Sequence, residues 1–138
     1  MATLSRFALP TLIAGLAYAA APLAADTLTG SEWAPVEFSG ENVDASGDVF
    51  VRFEQDGVFV GNGGCNNFRG RFVTNGDAIL FGPAAATMML CPDDVSAVET
   101  QFFQSIAKAR VFMRNGSVLG LSDSDGNPVM SLAQRDTD

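Results

Sequence analysis

Hydrophobic and polar residues alternate along most of the chain in short runs, and turn-forming residues separate the runs about every 8–12 positions. Alternation with a period of two sends successive side chains to opposite faces of a strand, so that one face is buried and the other meets water. The runs predict eight strands, over residues 32–38, 48–54, 58–62, 68–74, 78–81, 110–114, 118–121 and 129–132. The pattern is typical of an antiparallel sheet or barrel.

Short turn sequences join these runs. Gln-Asp-Gly at residues 55–57, Asn-Gly-Asp at 75–77 and Asn-Gly at 115–116 each lie between two apolar runs. Such dipeptides are strong hairpin signals, because glycine and asparagine tolerate the positive φ angles of tight turns. We therefore predict three hairpins, and a further turn at residues 125–128 before the last strand.

One segment, residues 94–109, departs from the period of two. Its apolar positions are spaced by three, four and four residues, at Val95, Val98, Phe102 and Ile106. This spacing places them on one face of an amphipathic helix. Ser96 and Glu99 have the spacing of a capping box at its start. We expect the helix to close one side or end of the sheet and to bury Phe102.

Eight short strands with one helix predict a mainly β fold, a strongly curved or closed antiparallel barrel, because closure removes exposed strand edges. Phe68, Gly70 and Phe72 share one strand face, which we assign to the interior. Gly70 is expected where a neighbouring element approaches closely or the strand bends. Trp33 and Phe102 are expected to complete the core.

The N-terminal residues 1–25 read as a secretory signal. Arg6 is the only charge, an apolar run follows, and small residues precede Asp26. The run is shorter than the 18 or more apolar residues that a membrane span needs, and no cysteine near the cleavage site could carry a lipid. We expect one soluble domain over residues 26–138, in the periplasm or secreted.

Charge and composition restrict the function. Loss of Arg6 with the signal leaves seven basic and 16 acidic residues, a net charge of −9. This excess opposes binding to nucleic acid or anionic lipid. The chain contains no histidine, which removes the commonest general base and metal ligand and excludes a Ser-His-Asp or Cys-His arrangement. We expect no enzyme, no metal and no cofactor.

The chain has two cysteines, Cys65 in a glycine-rich turn and Cys91, 26 positions later. In an exported protein such a pair favours a disulfide over a metal site. A redox-active pair is the alternative, because Cys91 precedes the predicted helix.

The residues around the cysteines carry a family resemblance. The motif consists of Gly64-Cys65-Asn66, then Phe68, Gly70 and Phe72, then Thr-Met-Met-Leu-Cys at residues 87–91. It resembles the META domain family, which includes the bacterial heat-shock protein HslJ, and the similarity runs from about Trp33 to Leu132. Several members are lipoproteins, whereas this chain lacks the cysteine that a lipid anchor requires.

The resemblance implies an antiparallel barrel-type fold with one helix and a disulfide between Cys65 and Cys91. It also implies an envelope or secreted location and an association with stress or antibiotic tolerance. The resemblance implies no established enzymatic reaction.

Two further sets of residues suggest metal chemistry but have simpler interpretations. Residues 123–127, Asp-Ser-Asp-Gly-Asn, resemble half of a calcium loop, although a turn alone explains them. Met88, Met89 and Met113 could offer thioethers to copper, but their spacing favours packing in the core.

Arg52, Arg69 and Arg71 form a candidate basic patch for an anionic partner. The simpler interpretation is cross-strand pairing with Glu54 or Asp56.

The leading functional hypothesis is a non-enzymatic protein that acts through protein or envelope contacts, with an envelope partner that the sequence does not name. The alternative is a barrel that binds a small apolar ligand, since eight strands can enclose one. We expect a monomer.

Overall fold

The structure is a computed structural model that describes residues 28–43 and 48–135. The predicted signal segment therefore lies outside the described residues. The strands are β1 (Glu32–Phe38), β2 (Glu41–Asn42), β3 (Phe50–Glu54), β4 (Val58–Asn62), β5 (Asn67–Asn75), β6 (Ala78–Phe81), β7 (Ala85–Ala86), β8 (Val111–Asn115), β9 (Val118–Ser122) and β10 (Pro128–Arg135). The helix α1 spans Asp93–Lys108, and a 3-10 turn over Gln55–Gly57 joins β3 to β4.

Eight of the strands form a closed antiparallel barrel, as predicted. Their order is β10-β9-β8-β6-β5-β4-β3-β1, and β1 pairs with β10 to close the ring. The closing register runs from Glu32 opposite Arg135 to Phe38 opposite Met130. The two extra strands are short, and β2 pairs with β1 while β7 pairs with β5.

β6 and β7 follow the same edge of β5 as one interrupted strand. Phe72 lies opposite Phe81 in β6, and Phe68 lies opposite Ala86 in β7. The register shifts by one residue between these pairs, so residues 83–84 form a bulge in the pairing, although the Gly82 backbone nitrogen still donates to the Arg71 carbonyl oxygen at 2.7 Å. This bulge forms one wall of a groove described below.

The helix packs against the barrel where the strand pairing is short. β6 and β8 share a single paired position, Ala78 opposite Val111. α1 connects β7 to β8 in the chain and packs against β1, β6 and β10. Its apolar face is anchored by the buried residues Phe102 and Ile106, so the helix covers this part of the barrel as its sequence pattern predicted.

Aromatic side chains fill the barrel interior. Trp33, Phe59 and Phe102 are fully buried, and Phe68 and Phe72 are nearly so. The rings touch one another: the centroids of Phe59 and Phe68 lie 5.9 Å apart, and those of Phe68 and Phe102 lie 5.2 Å apart. Close ring packing of this kind makes the interior a core.

Gly70 lies where Phe59 crosses β5. A Cβ atom at Gly70 would be 2.5 Å from the Cζ atom of Phe59 and 3.2 Å from the carbonyl oxygen of Pro83. Only glycine fits between them without a shift. The predicted close approach at this position is confirmed.

The start of α1 differs from the prediction. Pro92 occupies the N-cap position and makes no side-chain capping hydrogen bond. The predicted capping box of Ser96 and Glu99 is wrong, because the helix already begins at Asp93. The Glu99 carboxylate instead accepts a hydrogen bond from the backbone nitrogen of Cys65, in the turn between β4 and β5.

Candidate functional site

A disulfide between Cys65 and Cys91 joins the β4–β5 turn to the segment before α1. The two Cα atoms lie 6.1 Å apart. The predicted pairing is confirmed, and neither cysteine is available as a thiol in this state.

The carboxylate of Glu99 holds this turn against the helix. Its Oε2 atom accepts hydrogen bonds from the backbone nitrogens of Cys65 at 3.3 Å and Asn66 at 2.8 Å. Its Oε1 atom accepts a third from the Asn66 side-chain amide at 2.6 Å. A Cβ atom on Gly63 would lie 2.6 Å from the Glu99 Cγ atom, so the glycine leaves room for the carboxylate.

Asn66 extends this network to the segment before Cys91. Its Oδ1 atom accepts hydrogen bonds from the Thr87 hydroxyl at 2.9 Å and from the Met89 backbone nitrogen at 2.7 Å. Asn66 is buried, and its side chain both donates and accepts. The groups that hydrogen-bond to the turn are amides, a hydroxyl and one carboxylate, an arrangement that positions a surface segment.

The positioned segment presents apolar side chains to solvent. Met88 is 97% exposed, Met89 59% and Leu90 103%. Met113 on β8 is 73% exposed. The prediction that these three methionines pack in the core is wrong. The backbone bond to Asn66 and the disulfide hold Met88 and Met89 on the surface. Met113 lies on the outer face of β8, next to the buried Phe112.

Arg69 and Arg71 lie on the outer face of β5, and both are exposed. Their Cα atoms are about 7 Å apart, from the rise of a strand. Within residues 28–43 and 48–135, neither side chain forms an ion pair or hydrogen bond. The proposed pairing of these two arginines with Glu54 or Asp56 is therefore not what the structure shows.

Arg52, unlike Arg69 and Arg71, forms ion pairs with neighbouring carboxylates. Its guanidinium lies 3.0 Å from the carboxylate of Glu54 and 3.6 Å from that of Glu32. Arg52 and Arg69 both lie opposite Val60 in the strand between them, so they share the outer face of the barrel. The structure brings all three arginines to one face, and among the described residues it gives Arg69 and Arg71 no ion-pair partner.

Residues 123–127, whose sequence resembles half of a calcium loop, form a turn in which the Asp123 side chain accepts hydrogen bonds from the backbone. One Asp123 oxygen accepts hydrogen bonds from the backbone nitrogens of Asp125 at 3.0 Å and Asn127 at 2.9 Å. The backbone hydrogen bond from Asn127 is the main cause that lowers the pKa of Asp123. Nowhere in the described part of the chain do three acidic or cysteine side chains gather as a metal site.

The outer surface of the barrel and helix carries several grooves. An apolar groove of about 440 Å³ runs between residues 81–84 and the α1 side chains Phe103, Ile106 and Ala107. A polar groove of about 350 Å³ lies beside the disulfide, lined by Asp48 and Arg135 among others. Across the described ranges, no helix is long and apolar enough to cross a membrane.

The family model of the META domain matches residues 26–136. The chain belongs to the META domain family. No curated protein sequence matches this META domain.

Solved structures show the same fold at low sequence identity. An NMR structure of a protein from Burkholderia xenovorans is 16% identical, with a TM-score of 0.65, and the match covers 94% of this chain and 100% of that one. A crystal structure of a DUF4847 family protein from Bacteroides vulgatus is 14% identical, with a TM-score of 0.60, and the match covers 82% of this chain and 98% of that one. At such identities the similarity establishes the fold of this META domain.

Sequence reasoning missed Glu99 and the linking role of Asn66. Their contact joins positions 33 residues apart, and no local pattern marks it. The Gly-Cys-Asn motif indicated that Asn66 matters but not what it binds.

Proposed function

We propose that this META-domain protein is exported to the bacterial envelope and acts there by binding another envelope component, without catalysing a reaction. The observation that carries the proposal is that Arg69 and Arg71, exposed on the outer face of the barrel, have no ion-pair or hydrogen-bond partner within the part of the chain that the structure describes. Export is supported by the predicted signal segment and by the disulfide, since disulfides persist in oxidising compartments.

The placement of these arginines suits recognition of an anionic group. β5 pairs with β4 on one side and with β6 and β7 on the other, so the two Cα positions are fixed before binding. The planar guanidinium binds carboxylates and phosphates through two parallel hydrogen bonds. Because the whole chain has a net charge of −8, an anionic partner is repelled at long range and attracted locally at this face.

The alternative, a small apolar ligand inside the barrel, has less support. Trp33, Phe53 and Phe59 are fully buried and occupy the space that a ligand would need. Catalysis has less support still, because the chain lacks histidine and its only two cysteines are bridged.

A role in stress or antibiotic tolerance is part of the proposal and rests on family membership. A deletion strain should grow less well than its parent under heat or envelope-directed antibiotics. The wild-type gene should restore growth, and the Arg69→Ser plus Arg71→Ser gene should not. If both genes restore growth equally, the stress role does not depend on Arg69 and Arg71.

Export and binding are tested separately. Export is tested by fractionating cells that express the full chain and sequencing the N-terminus of the exported form, which should begin at Asp26. Binding is tested by affinity capture from the periplasmic fraction, where the Arg69→Ser variant should lose partners. Arg110→Ser is the matched control, because it changes the net charge equally at an exposed arginine that donates to the backbone carbonyls of Ala107 and Ala109 at the end of the helix. Equal partner recovery by both variants contradicts the proposed use of this face.

A further inference from the structure

Two adjacent methionines, Met88 and Met89, present their side chains to solvent beside the disulfide. Met88 is 97% exposed and Met89 59%, and Cys91, which is bridged to Cys65, lies two positions beyond Met89. We call Met88 and Met89 the methionine pair. An oxidant attacks a sulfur-containing side chain that it can reach from solvent, so the pair is open to oxidation in the folded protein.

Most other side chains that oxidants attack are protected in this chain. Its two cysteines are bridged to each other, which leaves no free thiol to react first. The single tryptophan, Trp33, is fully buried, and Met130 is 2% exposed. Met113 on β8 is 73% exposed, and among the described methionines it alone shares the accessibility of the pair. Oxidation of the folded protein is therefore directed to a few surface thioethers.

The contacts that hold the pair on the surface do not use its sulfur atoms. The Met89 backbone nitrogen donates to Asn66 Oδ1 at 2.7 Å. The Thr87 backbone nitrogen donates to the carbonyl oxygen of Asn67 at 3.0 Å, and the disulfide fixes Cys91. Because each of these bonds involves the backbone or the cysteines, an oxygen atom added to either methionine changes the surface and spares the fold.

We propose that the methionine pair is a reversible oxidation site, at which hydrogen peroxide converts first Met88 and then Met89 to methionine sulfoxide. In each step the thioether sulfur loses two electrons and gains one oxygen atom, while the O–O bond of the peroxide breaks and water is released. A methionine sulfoxide reductase removes the oxygen as water and oxidises a dithiol to a disulfide. The site uses residues other than Arg69 and Arg71 and stands independently of the proposed function.

The modification changes the character of an apolar surface. None of residues 78–92 is acidic or basic, and Leu90, directly after the pair, is fully exposed. A thioether is apolar and a weak hydrogen-bond acceptor, whereas a sulfoxide is polar. Two sulfoxides therefore remove much of the apolar character of this segment, and their reduction restores it.

The site is tested by treating the folded full chain with hydrogen peroxide and stopping samples at intervals with free methionine. Peptide mass spectrometry then locates the added oxygen. Met88 should oxidise at least about 10-fold faster than Met130, with Met89 between them, because the rate follows exposure. In the chain unfolded by urea the three rates should lie within about twofold of one another. Equal rates at Met88 and Met130 in the folded chain overturn the proposal.

The change of surface is measured by retention on a hydrophobic-interaction column. The protein used is Met113→Leu, which lacks the other exposed thioether. Peroxide should lower its retention, and the two methionine sulfoxide reductases, one for each sulfoxide epimer, should restore it when thioredoxin supplies the dithiol. Unoxidised protein taken through the reductase step is the control. Retention that peroxide leaves unchanged, or that the reductases do not restore, overturns the proposal.

A matched variant assigns the change to the pair. Adding Met88→Leu and Met89→Leu to Met113→Leu keeps the apolar bulk without the thioethers, so peroxide should lose most of its effect on retention. Urea unfolding should show the same midpoint before and after oxidation of the pair. An equal loss of retention in the added variant, or a lower midpoint after oxidation of the pair, contradicts a site that modifies the surface and spares the fold.

Discussion

Glu99 and Asn66 form a two-point contact between the helix and the barrel. The carboxylate accepts one hydrogen bond from the Asn66 backbone nitrogen at 2.8 Å and one from the Asn66 side-chain amide at 2.6 Å. Because Asn66 also binds Thr87 and Met89, this one contact ties α1, the Cys65 turn and the exposed segment together. It fixes the position of the exposed segment at residues 88–90.

Removing the Glu99 carboxylate should destabilise the protein. Glu99→Ala leaves the backbone nitrogens of Cys65 and Asn66 without acceptors, and hydrogen bonds to a charged group contribute about 1.5–3 kcal/mol. We expect a loss of about 2–3 kcal/mol in urea unfolding, and faster amide exchange at Cys65 and Asn66. Gln104→Ala, on the exposed face of the same helix, is the control. A Glu99→Ala midpoint equal to that of the control would show that the contact contributes nothing.

Gly70 should not tolerate a side chain. Gly70→Ala places a methyl group against the Phe59 ring, which is fully buried and cannot move into solvent. Overpacking of this kind costs about 1–3 kcal/mol. Gly120→Ala on β9 is the matched control, because its nearest neighbour, the Met113 carbonyl oxygen, would be 3.9 Å away. Thermal unfolding of the two variants should differ, and equal melting temperatures would refute the close approach.

Phe102 should contribute most of the helix's attachment to the core. The side chain is fully buried and its ring lies 5.2 Å from that of Phe68. Phe102→Ala should cost about 3–5 kcal/mol in urea unfolding, whereas Gln101→Ala at the neighbouring exposed position should cost little. If the two variants unfold at the same urea concentration, the helix is not anchored through this ring.

The disulfide should be complete and stabilising in protein purified from an oxidising compartment. Thiol titration of the denatured, unreduced chain should find no free thiol. Cys65→Ala plus Cys91→Ala should lower the free energy of unfolding by about 3.5 kcal/mol, from the chain entropy of a loop of about 27 residues. Two reactive thiols in protein purified from an oxidising compartment would contradict the bridge.

Asp123 should titrate below its ordinary pKa of 3.8. Its charged form accepts backbone hydrogen bonds from Asn127 and Asp125 only in the folded state, so the pKa is lower folded than unfolded. The stabilising effect is therefore present above pH 3.8 and is lost as the pH falls through the folded pKa. Carboxyl-carbon NMR should show a midpoint below 3.8, and a midpoint at or above that value would contradict the turn.

Local signals in the sequence predicted most of the fold. The Asp-Gly and Asn-Gly turns marked hairpins, and the predicted strands 32–38, 58–62 and 78–81 coincide with β1, β4 and β6. The spacing that ends at Phe102 and Ile106 identified the helix and its buried face. These features were predictable because each depends on residues close together in the chain.

Features that depend on distant residues were not predictable in this way. The Ser96–Glu99 spacing suggested a local cap, yet Glu99 binds a turn 33 residues away. Met88 and Met89 are apolar residues of a kind that usually packs in cores. The hydrogen bond to Asn66 and the disulfide instead hold them on the surface. The exposed segment and its neighbouring groove therefore became visible only in three dimensions.

Photocrosslinking in living cells tests the proposed envelope contact most directly. A photoreactive residue at Val73, which is 63% exposed on the outer face of β5, would lie two positions from Arg71. It should crosslink to one envelope component, and the product should disappear when Arg69 and Arg71 are both changed to Ser. The same probe at Val118, on a strand three positions away around the barrel, should give no such product. The absence of any product from position 73, or the same product from position 118, would contradict the account.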